Sequence, residues 1–121
     1  MIGIGIDAVD IERFRRALAR SPGLARRLFT EGERVEGARS RDPAPRLAAR
    51  FAAKEATMKA LGVGLGAFAF RDVEVRTAPT GAPTLAVSGA AGALADRLGV
   101  TAFRVSLTHT DRLAGAVVAA L

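Results

Sequence analysis

The chain has 121 residues, half of them apolar, with 18 Lys and Arg against 12 Asp and Glu and no Cys, Trp or Tyr. That length suits one domain over residues 1–121 and leaves no room for a second core. The missing cysteines exclude disulfides and thiolate metal sites, and the lack of a signal-peptide pattern or a run of about 18 apolar residues predicts a cytoplasmic protein without a membrane span.

Ile2, Ile4 and Ile6 alternate with Gly3, Gly5 and Asp7, which predicts a strand with one apolar face and one nearly bare face, Asp7 emerging on the bare one. Asp10 is placed to cap a helix whose Ile11, Phe14 and Leu18 share one side, leaving Arg13, Arg16 and Arg20 to point elsewhere. Ser21-Pro22-Gly23 breaks it. A short helix follows around Leu24 to Phe29, and Thr30-Glu31-Gly32-Glu33 has the spacing of a capping box that starts another. Arg39 to Pro45 reads as a loop too short to link domains.

From Pro45 to Leu61 the pattern is a long helix with Leu47, Phe51, Met58 and Leu61 on one stripe, ended by Gly62-Val63-Gly64-Leu65-Gly66. Val73 and Val75, then Leu85 and Val87, alternate with polar residues across Pro79 to Pro83 and predict a hairpin. Ala90 to Leu98 predicts an Ala-rich helix stopped by Gly99, and Phe103 to Leu107 and Leu113 to Ala120 a second hairpin. This order predicts an α+β fold with a largely antiparallel sheet packed on the long helix. So small a chain also gains from self-association.

The net charge of +6 suggests an acidic partner unless it is only a solvated surface. With only six Phe as stacking platforms, a phosphorylated ligand or an acidic protein fits at least as well as nucleic acid. The long helix holds the sharper clue. At about 100° per residue Lys54 falls about 25° from the centre of the apolar stripe, with Glu55 and Arg50 about 65° to 75° to either side. Buried ions need partners, a metal, a ligand or an escape to solvent, so either these three form a site or Lys54 snorkels while Glu55 lies at a solvated edge. Asp7 reads as a turn former or cap, or as a ligand beside bare glycines. Brought together by folding, Asp7 and Glu55 would suit a hard ion such as Mg²⁺, which takes a few oxygens plus substrate phosphates. His109 is the only histidine, in a polar turn where it is either structural or a ligand-binding or catalytic group. Gly62 to Gly66 is a helix cap, or a loop whose amides approach a phosphate.

These fragments together resemble the acyl-carrier-protein-synthase branch of the bacterial phosphopantetheinyl transferases. Gly3-Ile4-Gly5-Ile6-Asp7 with Arg13 resembles that family's first motif. Arg50-Phe51-Ala52-Ala53-Lys54-Glu55-Ala56, running on through Lys59-Ala60-Leu61-Gly62, resembles its second and most specific one. Val105 to Thr110 and Gly81-Ala82-Pro83 resemble a segment near its end and its hairpin loop. The resemblance implies a homotrimer binding coenzyme A in clefts between subunits, with an acyl carrier protein as second substrate and neither nucleic acid nor membrane as partner. It implies Mg²⁺ on Asp7 and Glu55, coenzyme contacts from Arg50, Lys54, Lys59, Gly62, Gly81, Pro83 and His109, and docking of the carrier on Arg13, Arg16 and Arg20. Lys59 would offset phosphate charge. Glu55 is the first choice as catalytic base, with His109 and Asp111 as alternatives.

Overall fold

The computed structural model describes all 121 residues. Strand β1 (Gly3–Asp10) leads into helices α1 (Ile11–Arg20), α2 (Leu24–Leu28), α3 (Glu31–Ala38) and α4 (Ala44–Ala60). A 3-10 turn (Phe70–Asp72), strands β2 (Val73–Thr77) and β3 (Pro83–Val87), helix α5 (Gly89–Leu98) and strands β4 (Phe103–His109) and β5 (Leu113–Ala120) complete the chain. The fold is α+β, and both sheets are antiparallel: one has the order β1-β5-β4, the other is the β2-β3 hairpin.

Local chemistry sets the helix boundaries. The Asp10 carboxylate accepts from Arg13 N–H at 2.9 Å and caps α1. At the start of α3, Thr30 and Glu33 form a reciprocal capping box. Pro43 precedes α4 and Pro45 lies in its first turn, where a missing N–H costs nothing. Gly62, at φ +74°, and Gly99, at φ +80°, take the left-handed conformation that ends α4 and α5.

The long helix is less amphipathic than its stripe suggests. Ala48, Ala49, Ala52, Ala53, Ala56 and Ala60 are buried together with Leu47, Met58 and Leu61, so α4 is enclosed on most of its circumference. Its alanine side lies against the sheet, and the bare face of β1 makes that approach possible. A Cβ built on Gly5 would overlap the carbonyl oxygen of Ala56, and one on Gly3 that of Ala60. Helix and strand backbones therefore touch with no side chain between them.

The apolar face of β1 points the other way. Ile4 is 61% and Ile6 66% exposed, and the register sets them beside Ala119 and Val117 of β5. Leu113, 50% exposed, extends the same surface opposite Asp10. Two apolar clusters fill the interior: one joins α4 to β2, α5 and the inner sides of β4 and β5, and the other packs α1 and α2 on the first half of α4. Phe14, Phe51 and Phe70 continue the second as a line of rings 5.4 and 5.5 Å apart.

Candidate active site

Asp7 lies on the glycine face of β1, two residues beyond Gly5, and so projects toward α4 where Glu55 and Lys59 stand one turn apart. Lys59 Nζ donates to the Ile6 carbonyl at 2.9 Å and to Asp7 Oδ1 at 3.3 Å. Burial first, then the negative charge of Asp7, hold the Glu55 carboxyl above the ordinary carboxylate range, while Lys59 acts in the opposite sense. The fold thus joins residues far apart in sequence, as the bare face of β1 allows. Asp7 and Glu55 line a cleft of about 460 Å³ with Arg13 of α1, and the rings of Phe14 and Phe51 belong to the same wall.

A second cleft, about 420 Å³ in volume, is lined by Arg46 and Arg50 on α4, Gly81 and Pro83 at the β2-β3 turn, and His109 at the end of β4. No residue lines both clefts. Arg50 is only 7% exposed; Nη1 donates to the Arg46 carbonyl at 3.3 Å, and Nε is buried without a protein partner. Burial lowers the proton affinity of its guanidinium, Glu33 and Glu36 oppose that shift, and Arg46 reinforces it. Two arginines beside a glycine turn and an imidazole offer donors to phosphate oxygens, with Glu36 lining the same cleft 3.4 Å from Arg46 Nη1.

No group of three or more His, Cys, Asp or Glu side chains comes together in the chain so as to hold a metal ion. The Asp7–Glu55 pair nevertheless suits Mg²⁺: both donors are carboxylates, no imidazole or sulfur stands with them in the cleft, and the negative charge of Asp7, second to burial, disfavours ionisation of Glu55 while no cation is bound. Mg²⁺ keeps several waters and uses one or two protein carboxylates plus substrate phosphates.

The sequence profile of the 4'-phosphopantetheinyl transferase superfamily matches residues 3–118. The chain belongs to that superfamily. This transferase is 48% identical to the holo-acyl-carrier-protein synthase of Streptomyces avermitilis over 120 residues, 99% of this chain and 97% of that protein. The crystal structure of holo-acyl-carrier-protein synthase from Neisseria meningitidis superposes with a TM-score of 0.91 at 31% identity, covering 100% of this chain and 98% of that one. The Helicobacter pylori synthase in complex with coenzyme A gives a TM-score of 0.86 at 31% identity, with coverage of 98% and 99%.

One expected phosphate contact in the transferase needs correction. Lys54 has a fully buried side chain, and its ammonium donates to Glu33 Oε1 at 2.7 Å, to the Phe70 carbonyl at 3.1 Å and to the Val73 carbonyl. Burial lowers its pKa, while Glu33 raises it. Glu33 Oε2 in turn accepts from Val75 N–H at 3.0 Å, so the pair joins α3, α4 and β2. The conflict seen on the α4 stripe thus has two resolutions: Lys54 is a structural anchor inside the protein, whereas Glu55 reaches the cleft. Sequence reasoning misses Glu33 as its partner because the capping-box spacing already accounts for that residue, and the box is indeed present.

Gly62 is exposed, serves as the α4 cap and lines neither cleft. Asp111 is exposed in the β4-β5 turn and also lines neither. Arg13, Arg16 and Arg20 face outward while Ile11 and Phe14 are buried, as the pattern predicts. Sequence reasoning leaves open which residue between Arg39 and Arg46 would join Arg50; the structure sets Arg46 beside it, one turn earlier on α4.

Proposed function

We propose that this transferase moves 4'-phosphopantetheine from coenzyme A to a serine hydroxyl of an acidic acyl carrier protein and releases adenosine 3',5'-bisphosphate. The observation that carries the reading is the meeting of Asp7, Glu55 and Lys59, in a member of the superfamily, at the point where its first two motifs converge. The serine oxygen forms a bond to the phosphorus that bears pantetheine, and the bridging pyrophosphate bond to that phosphorus breaks. Glu55 accepts the serine proton, for which burial and Asp7 prepare it. Mg²⁺, held by Asp7 and Glu55, would supply charge stabilisation to the phosphoryl oxygens and the leaving group. Lys59 adds a mobile positive charge beside them.

Arg46, Arg50 and His109 receive the remaining phosphate of the coenzyme, with Gly81 and Pro83 shaping the approach. In this reading the transferase assembles as a trimer with coenzyme A between neighbouring subunits, as its resemblance to the acyl-carrier-protein synthases implies. The exposed isoleucines of β1 supply an apolar surface for that assembly. The carrier docks on α1, where Arg13 borders the Asp7–Glu55 cleft and Arg16 and Arg20 extend the basic surface. Arg13→Glu or Arg20→Glu should lower kcat/KM for the carrier by about fivefold or more, with KM for coenzyme A nearly unchanged. Kinetics with each substrate varied in turn check this.

The decisive experiment is mass spectrometry of apo-carriers incubated with the enzyme, Mg²⁺ and coenzyme A. A mass gain equal to phosphopantetheine on the carrier serine is expected. No gain on any carrier, with the protein folded, would defeat the reading.

A further inference from the structure

Lys59 and a divalent cation have claims on the same oxygen. The ammonium is 3.3 Å from Asp7 Oδ1, on the cleft side of β1, and also bonds the Ile6 carbonyl. The two carboxyl groups are carried by rigid elements: Asp7 on β1, whose backbone interlocks with α4, and Glu55 on α4 itself. Asp7's side chain is only 20% exposed, whereas that of Lys59 is 54% exposed and sits on a four-carbon stem. The carboxylates are therefore the fixed partners and the ammonium is the movable one. An exposed ion pair of this kind is held weakly, so little opposes its release.

We propose that Lys59 is a stand-in cation: in the ligand-free protein it balances the Asp7–Glu55 charge, and it must leave Asp7 before a divalent cation seats there. The inference rests on Asp7 and Glu55 being the metal ligands. Its consequence is an order of events. Two positive charges cannot share one carboxylate oxygen without repulsion, so the ion binds weakly while Lys59 remains. A ligand carrying a pyrophosphate offers the ammonium another partner and releases Asp7 to the ion. Metal and phosphate binding are then coupled through one lysine, and the free enzyme is spared a tightly bound ion.

The test uses Mn²⁺ alone as the probe, titrated into the ligand-free protein and followed by the electron paramagnetic resonance of free Mn²⁺. Lys59→Gln should bind Mn²⁺ about three- to tenfold more tightly than the unaltered protein, through the loss of a weak exposed ion pair and of like-charge repulsion. Lys59→Met should do the same, and Lys59→Arg should stay weak. Asp7→Asn should remove binding both by itself and when combined with Lys59→Gln. Thermal melts confirm that each variant is folded. Unchanged or weaker Mn²⁺ affinity in Lys59→Gln and Lys59→Met, with Asp7→Asn still abolishing binding, would overturn the stand-in role and leave the metal site intact. Binding that survives Asp7→Asn, or that is absent from every variant, would overturn the metal site and this inference with it.

Discussion

Glu55 shows how one residue can be unfavourable to the fold and useful to the site. Its carboxyl is held above the ordinary carboxylate range by burial and by Asp7. The folded chain therefore binds this proton more tightly than the unfolded chain does. The contribution of Glu55 to stability falls as pH rises from the ordinary carboxylate value through the raised folded value, and the penalty is complete above it. Glu55→Gln should raise the melting temperature of the ligand-free protein at neutral pH and flatten its dependence on mildly acidic pH. Partial solvent exposure limits the gain to less than about 1 kcal/mol. The same substitution should reduce phosphopantetheinyl transfer by about 100-fold or more if Glu55 has the proposed roles of base and metal ligand. Melting curves at neutral and mildly acidic pH, beside turnover assays, check both halves, and a variant that kept full turnover would remove Glu55 from the chemistry.

Two contacts between elements set the position of α4. On the sheet side the helix backbone rests against Gly3 and Gly5 of β1. Gly5→Ala forces a methyl group into the Ala56 carbonyl, where neither backbone has a flexible end that can yield. The expected cost is about 3 kcal/mol, at the upper end of the overpacking range, with a loss of turnover because Asp7 follows two residues later. Urea denaturation measures the first effect. On the opposite side the buried Lys54 holds Glu33 and two carbonyl groups. Lys54→Met removes the ammonium but strands a buried carboxylate, which should destabilise the protein by about 3 to 5 kcal/mol. Adding Glu33→Gln should restore part of that loss, because the surviving amide carries no charge. A double-mutant cycle decides, and additivity of the two substitutions would show that the pair is not coupled.

The whole molecule leaves a sheet face uncovered. Ile2, Ile4, Ile6, Leu113 and Val117 are all exposed large apolar residues, on a chain that can bury only a modest core. No helix is long and apolar enough to cross a membrane. If this face joins subunits into the proposed trimer, Ile6→Asp places a charge within the interface and should dissociate the assembly. Analytical ultracentrifugation should then find a trimer for the unaltered protein and a monomer for the variant, with transfer activity falling in parallel. A monomer in both cases would move the site back onto a single chain.

Much of the fold was legible because its signals are local. Asp10, the Thr30–Glu33 box, Pro45, Gly62 and Gly99 mark helix ends through their own backbone chemistry, and alternation over Phe103 to Leu107 and Leu113 to Ala120 marks strands. Asp7 and Glu55 were legible as candidates for a like reason, since charge in an otherwise apolar or glycine-rich setting asks for a partner, whereas Lys59 was a candidate only through the family resemblance. Their meeting was not legible, because it depends on β1 crossing α4 closely enough for Gly5 to touch Ala56, a packing relation that no spacing in the chain records. The roles of neighbouring lysines were likewise undecided. Lys54 and Lys59 have the same chemistry and lie five residues apart, but helix rotation turns one toward Glu33 in the dry interior and the other toward Asp7 at the open cleft. Sequence determined which residues carry charge on α4; only the tertiary structure determined which of those charges was enclosed by its partners and which was left free to meet a ligand.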